Sequence, residues 1–336
     1  VGGQYRAGAA VVPYTRRTVV TALAMPLFRL RLLLPLVAAL ALAACARSTK
    51  PEVPPALAAP APVKLKIGLA LGGGAARGFA HIGVIKMLEA NGIHPDVVAG
   101  TSAGSVVGAL YASGMDAFQL QEAALALDEA SIRDVRLFSG GLVQGRKLQD
   151  YVNTQVGNRP IERLRLPFAA VATQLESGRR TVFVLGNTGQ AVRASSSIPG
   201  VFEPTPIDGK HYVDGGVVSP VPVDAARELG ADLVIAVNIS AQPDGGNPDG
   251  MLGIVGKSIT IMGRQLGEQE LARADVVIRP ALDPIGAADF EQKDIAILRG
   301  EQAALAALPA IRRLIEARRH PAPVHATGKP AAPPRR

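Results

Sequence analysis

The 336-residue sequence has no tryptophan, one cysteine, five histidines and only 4% aromatic residues. With 48% hydrophobic residues and so few rings, its core must be packed from alanine, valine and leucine, which suits an α/β domain. Scarce histidine limits the chemistry. His320 and His325 lie in a Pro/Ala/Arg-rich tail, His94 precedes Pro95 in a turn, and His81 falls on a helix in a positioning role. That leaves His211 as the one histidine rival for a general base, and period-two alternation puts it on the opposite strand face from Asp214. No Gly-Lys-Ser/Thr closes the glycine-rich run Gly72–Gly78, which excludes a P-loop. The same run fails as a dinucleotide fingerprint. Starting at Gly72 puts Arg77 where a glycine must pack helix on strand, and starting at Gly73 puts Ala75 where backbone must approach a pyrophosphate. There are no internal repeats. Five arginines before residue 45 have no acidic counterparts there, so without that leader the formal net charge falls from +8 to +3 and nucleic-acid binding is not indicated. The remaining basic excess gathers toward the C-terminus, from Arg312 to Arg336, as a solvated tail or as an attraction for anionic lipid head groups.

What is present centres on Ser102. It is framed as Gly100-Thr101-Ser102-Ala103-Gly104, directly after the apolar run Pro95–Ala99 and directly before a helix-forming stretch. A strand, a sharp turn and a helix hold a serine hydroxyl exposed at the tip with a helix N-terminus behind it, an arrangement suited to nucleophilic attack. One strand–helix unit earlier, Lys64–Leu71 reads as a strand that runs into Gly72–Gly78 and then a helix over Phe79–Glu89. With the other uses of such a turn excluded, bare N–H groups aimed at a developing carbonyl oxyanion fit best. A third segment, the strand Lys210–Val213, ends in Asp214-Gly215-Gly216. Asp-Gly alone is a common hairpin turn, but beside the other two segments its carboxylate becomes a candidate base for Ser102.

Four ordered blocks carry a family resemblance: LGGGAARGFAHIG (Leu71–Gly83), GTSAG (Gly100–Gly104), ASSSIPGVFEP (Ala194–Pro204) and DGG (Asp214–Gly216). Over Lys64–Arg319 the chain resembles the patatin-like phospholipase family, specifically its bacterial members. The resemblance implies a three-layer α/β/α fold with a mainly parallel central sheet. It also implies a Ser102–Asp214 dyad in place of a triad, and metal-independent, cofactor-free hydrolysis of lipid acyl esters through an acyl-serine. The N–H groups of Gly73, Gly74 and Ala75 would hold the oxyanion, with Gly72, Arg77, Gly78, Gly100, Gly104, Gly215 and Gly216 supporting the motifs. Ala75 departs from the pattern, standing where many members have a further glycine. Arg77 reads as an anchor for loop carbonyls, with an anionic head group as its other use, and Ser195, Ser196 and Ser197 read as helix-end and packing residues. A non-catalytic lipid-binding envelope lipoprotein is the alternative, which intact Ser102 and Asp214 argue against. A soluble esterase with a Ser-His-Asp triad would need a histidine that the order of motifs does not supply.

The leader adds an expected location. Residues 25–44, MPLFRLRLLLPLVAALALAA, read as a signal peptide whose apolar run is shorter than the ~18 residues that span a bilayer. Leu42-Ala43-Ala44-Cys45 resembles a bacterial lipobox, implying cleavage before Cys45 and lipid on its sulfur. The expected organisation is an upstream extension over 1–24, the signal over 25–44, lipidated Cys45 with a Pro/Ala-rich tether to 63, the hydrolase domain over 64–319 and a basic tail over 320–336. By resemblance to Gram-negative lipoproteins, Ala46 in place of aspartate points to the outer membrane, facing the periplasm. Further strands are expected at Phe168–Thr173, Thr181–Leu185, Leu233–Asn238 and Val276–Arg279. Helices are expected at Ser102–Ala112, Ala117–Leu127, Lys147–Gln155, Val221–Leu229, Ile254–Ala272 and Gln302–Ala317. Ser139–Gly145 and Asn247–Met262 are candidate covers for the site.

Overall fold

Strand β1 (Ile67–Leu71) is buried at all five residues, the pattern of a strand covered by helices on both faces. The computed structural model describes residues 64–128, 134, 143–240, 250–283 and 285–320. The leader, Cys45, the tether, nearly all of the tail and residues 139–142 and 247–249 of the two candidate covers lie outside the described residues. β1 pairs in parallel with β2 (Val97–Thr101) and β7 (Leu233–Val237); β2 continues in parallel to β3 (Phe168–Gln174), and β7 to β8 (Val276–Ile278). Antiparallel strands β4 (Arg180–Phe183), β5 (Thr205–Ile207) and β6 (Lys210–Asp214) complete the sheet at the β3 side. The sheet is therefore mainly parallel, as expected.

Alternation along the strands divides the core in two. Ile67, Leu69, Leu71, Val98 and Ile235 face a large cluster shared with helices α1 (Ala80–Ala90), α2 (Ala103–Ala112), α3 (Ala117–Ala126), α4 (Arg146–Gln155) and α8 (Lys293–Arg319). Ala70, Ala99, Val234 and Ala236 face the other side, under α6 (Val223–Glu228) and Leu271 at the end of α7 (Gly250–Leu271). This is the three-layer α/β/α arrangement. Two elements exceed the expectation, α5 (Thr188–Ser195) and β5, and α8 begins at Lys293 instead of Gln302.

The edge of β3 decides where the chemistry sits. β2 pairs with residues 168–171 of β3 and β6 with residues 172–174, while β4 pairs with 170–173. Because β4 takes one edge, β2 and β6 must share the other, running toward each other and meeting end to end. Thr101, the last residue of β2, pairs with Val171; Asp214, the last of β6, pairs with Ala172. Residues far apart in sequence thus become neighbours through consecutive positions of one strand.

Candidate active site

Ser102 caps α2 with φ 53° and ψ −124°, a backbone conformation that costs a non-glycine residue about 1–3 kcal/mol and is held only by strong surroundings. The flanking glycines are required by contact. A Cβ on Gly100 would lie 2.4 Å from the Gly104 carbonyl oxygen, and one on Gly104 would lie 2.1 Å from that of Leu71. Behind the turn, the Ser102 N–H donates to Ser195 Oγ at 2.9 Å, and that hydroxyl donates to the Val171 carbonyl at 2.6 Å. Ser195, fully buried at the end of α5, therefore ties the strained residue to β3. The reading of Ser195 as a helix-end and packing residue holds, and the structure adds its two hydrogen bonds, one to the turn and one to β3. No local signal distinguishes it, because its partners are set by how α5 lies against β2 and β3.

Asp214 is fixed by its main chain: its N–H donates to the Ser197 carbonyl at 2.8 Å, and its carbonyl accepts from Thr173 Oγ1 at 2.9 Å. Its Oδ1 accepts from the Gly216 N–H at 2.7 Å. Oδ2 is buried without a hydrogen bond of ordinary length and angle, although the Ser102 hydroxyl interacts with the carboxyl closely enough to lower its pKa. Burial outweighs that interaction and the Gly216 bond, and pushes the carboxyl up to about 6. A loose contact of this kind is common where a catalytic hydrogen bond tightens only around substrate. Gly215 must be a glycine, since a Cβ there would meet the Val171 carbonyl oxygen at 2.1 Å.

The glycine loop corrects one expected donor. The N–H of Gly73 donates to the Pro220 carbonyl at 3.0 Å and that of Gly72 to Val237, so neither faces an incoming oxygen. Among the described residues, the N–H groups of Gly74 and Ala75 have no backbone or side-chain acceptor, whereas Ala76 donates to Ala287 at 3.1 Å. The loop is locked from behind by His81, fully buried, whose Nε2–H donates to the Gly72 carbonyl at 2.8 Å. Burial pushes that imidazole down to about 4, so it stays neutral. Ala75 adopts φ 50°, the left-handed region that disfavours a side chain. Ala75→Gly is expected to stabilise the domain by about 1 kcal/mol, measured as a higher urea midpoint with an unchanged m-value.

Arg77 does not anchor the loop. Among the described residues its guanidinium bonds no loop carbonyl, its Nε is buried without a partner, and the side chain lines the cavity. Burial lowers its pKa, with Asp283 partly opposing. Gly78 lets the turn touch α2, since a Cβ there would lie 2.6 Å from that of Ala103. His211 is exposed and pairs with Glu176 Oε1 at 2.9 Å, and it does not line the cavity that holds Ser102 and Asp214.

Ser102, Ala75 and Ile198 lie where two lobes of a cleft meet. One lobe, about 210 Å³, contains Asp214, Gly74, Arg77 and Arg264. The other, about 150 Å³, is walled by Phe79, Val107, Leu148, Tyr151, Phe202 and Phe290. The first lobe sets charge and N–H donors into an otherwise apolar lining, and the second is an apolar slot.

Residues 69–227 match the family model described as patatin-like phospholipase. An uncharacterized NTE family protein of Mycobacterium tuberculosis is 38% identical over 196 residues, covering 57% of this chain and 54% of the relative. Lysophospholipase NTE1 of Coccidioides immitis is 37% identical over 183 residues, 53% of this chain and 12% of the relative. The chain thus spans about half the length of the mycobacterial relative and a small part of the fungal one. Among solved structures, VipD from Legionella pneumophila superposes with a TM-score of 0.50 at 15% identity, covering 74% of this chain and 68% of that one. That likeness supports the fold.

Proposed function

We propose, on the premise of the patatin-like phospholipase match over residues 69–227, that this protein hydrolyses acyl esters of lipids through an acyl-serine intermediate. The observation that carries the reading is the junction of β2 and β6, beside which Ser102 and a buried carboxyl, Asp214, line one cleft with Gly74 and Ala75, whose N–H groups have no acceptor among the described residues. In this scheme Asp214, ionised, accepts the proton as Ser102 Oγ attacks the acyl carbonyl. The charge that develops on the carbonyl oxygen is held by the N–H groups of Gly74 and Ala75, with Gly73 serving to brace the loop on Pro220. The proton passes from Asp214 to the departing alcohol; Asp214 then takes one from the water that attacks the acyl-serine and returns it to Ser102 Oγ as the fatty acid leaves. No histidine is needed.

The cleft suggests how a substrate lies. The apolar lobe takes one acyl chain, and the lobe with Arg77 and Arg264 takes the polar remainder. The lysophospholipase name of the fungal relative puts monoacyl lipids first among the candidate substrates. Attachment through Cys45 to the bacterial envelope, outside the described residues, belongs to the same reading. The test is a panel of lysophospholipid, diacyl phospholipid and simple ester substrates, with mass analysis after reaction with a fluorophosphonate. The expected result is fastest release of fatty acid from lysophospholipid and a covalent adduct on Ser102. Binding of lipid with neither turnover nor adduct would favour a non-catalytic lipid-binding protein.

A further inference from the structure

Helix α7 is held most firmly at its C-terminal end. There it packs on the loop after β6: a Cβ on Gly267 would meet Pro220 at 3.7 Å, and Glu270, whose carboxyl burial raises to about 7, accepts from Ser219 Oγ and from the Val221 N–H. That loop also braces the site, through Pro220 to Gly73 and through Ser219 to Thr101 Oγ1. The outer face from Met251 to Met262 differs. A Cβ on Gly256 would meet no atom within 4 Å, and Met251, Ile254 and Met262 are 81%, 55% and 57% exposed, with Val255 and Ile261 also exposed. At 100° per residue, these five apolar side chains fall within a sector of about 120°. Such a stripe on one helix exceeds the scattered single apolar residues of an ordinary surface.

The catalytic cleft is lined by Ile259, beside the stripe, and by Thr260, Gly263 and Arg264, which lie farther round the helix. Ile259 therefore joins the edge of the apolar stripe to the mouth through which a substrate must pass. Along the edge of the stripe stand Lys257 and Arg264, and α7 carries no acidic residue before Glu268. No helix among the described residues is long and apolar enough to cross a membrane, so α7 has the composition of a helix that lies in an interface: one apolar face with cations beside it.

We propose that the apolar face of α7 from Met251 to Met262 docks on an anionic phospholipid surface and holds the mouth of the cleft beside it. Met251, Ile254, Val255, Ile261 and Met262 enter the acyl boundary while Lys257 and Arg264 meet phosphates, and a lipid leaves the surface directly into the cleft. The proposal rests on the lipid-hydrolase reading only for what is delivered, so the test separates the two.

Because the chain has no tryptophan, Met251→Trp provides a single reporter. In the full chain carrying Ser102→Ala, vesicles of phosphatidylcholine with phosphatidylglycerol are expected to shift the emission of Met251→Trp to the blue. Brominated acyl chains should quench it, and high salt should weaken both responses. Unchanged emission while the protein floats with the vesicles would mean that another segment holds the membrane, and it would overturn the proposal. So would emission that is already blue without lipid and reddens on dilution, which would identify a second copy as the occupant. In parallel, Met251→Gln/Ile254→Gln/Met262→Gln, all at exposed positions, should lower hydrolysis of vesicle-borne ester about tenfold or more and leave a water-soluble short-chain ester unaffected. Equal rates on vesicles for this variant and wild type would also sink it. If wild type cleaves neither substrate, the hydrolase reading fails, and the emission of Met251→Trp still decides the docking surface.

Discussion

Ser102→Ala is expected to abolish fatty-acid release and fluorophosphonate labelling while the domain remains folded. The loss should be of the order that follows removal of the nucleophile in other serine hydrolases, about 10⁶-fold in kcat. Stability should change by less than about 1 kcal/mol, because the substitution takes away one oxygen and no core volume. The backbone cost at φ 53° is common to serine and alanine, and the bond from the residue 102 N–H to Ser195 Oγ does not involve the side chain. Removing the hydroxyl also removes the interaction that lowers the pKa of Asp214, so the carboxyl should titrate higher in the variant. Release of fatty acid at anything near the wild-type rate would remove Ser102 from the mechanism. Labelling that persists at Ser195 or Ser196 would move the nucleophile to another serine.

The sequence carries this site because its motifs are backbone devices. Gly100 and Gly104 are legible as glycines that permit a tight strand-to-helix turn, and contact distances to Gly104 and Leu71 oxygens show why nothing larger fits. The Asp214 turn is legible too, but its closeness to Ser102 is not, since that depends on β2 and β6 sharing one edge of β3. For the same reason the Gly73 N–H looked free. Its acceptor, the Pro220 carbonyl, lies 147 positions away in the chain and reaches it only in the folded domain. The last helix, expected from Gln302, runs from Lys293 through Gly300; that glycine marks a crossing point, where a Cβ would lie 2.0 Å from the Ala80 carbonyl oxygen. Helix α5 was illegible because it is short, lacks an apolar stripe, and buries Thr188, Arg193 and Ser195 along with Ala191 and Val192.

Asp214→Asn should separate two roles of one carboxyl, lowering activity by several orders of magnitude while stabilising the fold near neutral pH. Asparagine keeps the shape and an oxygen for the Gly216 N–H, but offers no basic lone pair to Ser102. In wild type the base works only when ionised, and burial has raised its pKa to about 6. kcat/KM should therefore rise with pH through about 6 and level off above it, falling about tenfold per unit on the acid side. A limb at that pH resembles a histidine titration, so the profile alone does not distinguish dyad from triad; the variants do. His81 is neutral and bonded to the Gly72 carbonyl, and His211 is exposed on Glu176, so His211→Gln should retain near-wild-type activity. The stability effect follows from the same shift. The unfolded chain loses this proton near the ordinary aspartate value of 3.8 and the folded chain near 6. Between those values the folded state binds more protons, and wild-type stability falls as pH rises through the window. A shift of that size corresponds to a cost on the order of 2–3 kcal/mol above pH 6, which Asp214→Asn removes and which is absent below about pH 4. Glu270, also raised by burial, to about 7, tilts wild type and variant alike, so the difference between their urea-denaturation curves across pH isolates Asp214. Near-wild-type turnover in Asp214→Asn, or a folded His211→Gln as inactive as Ser102→Ala, would show that the proton leaves Ser102 by another route.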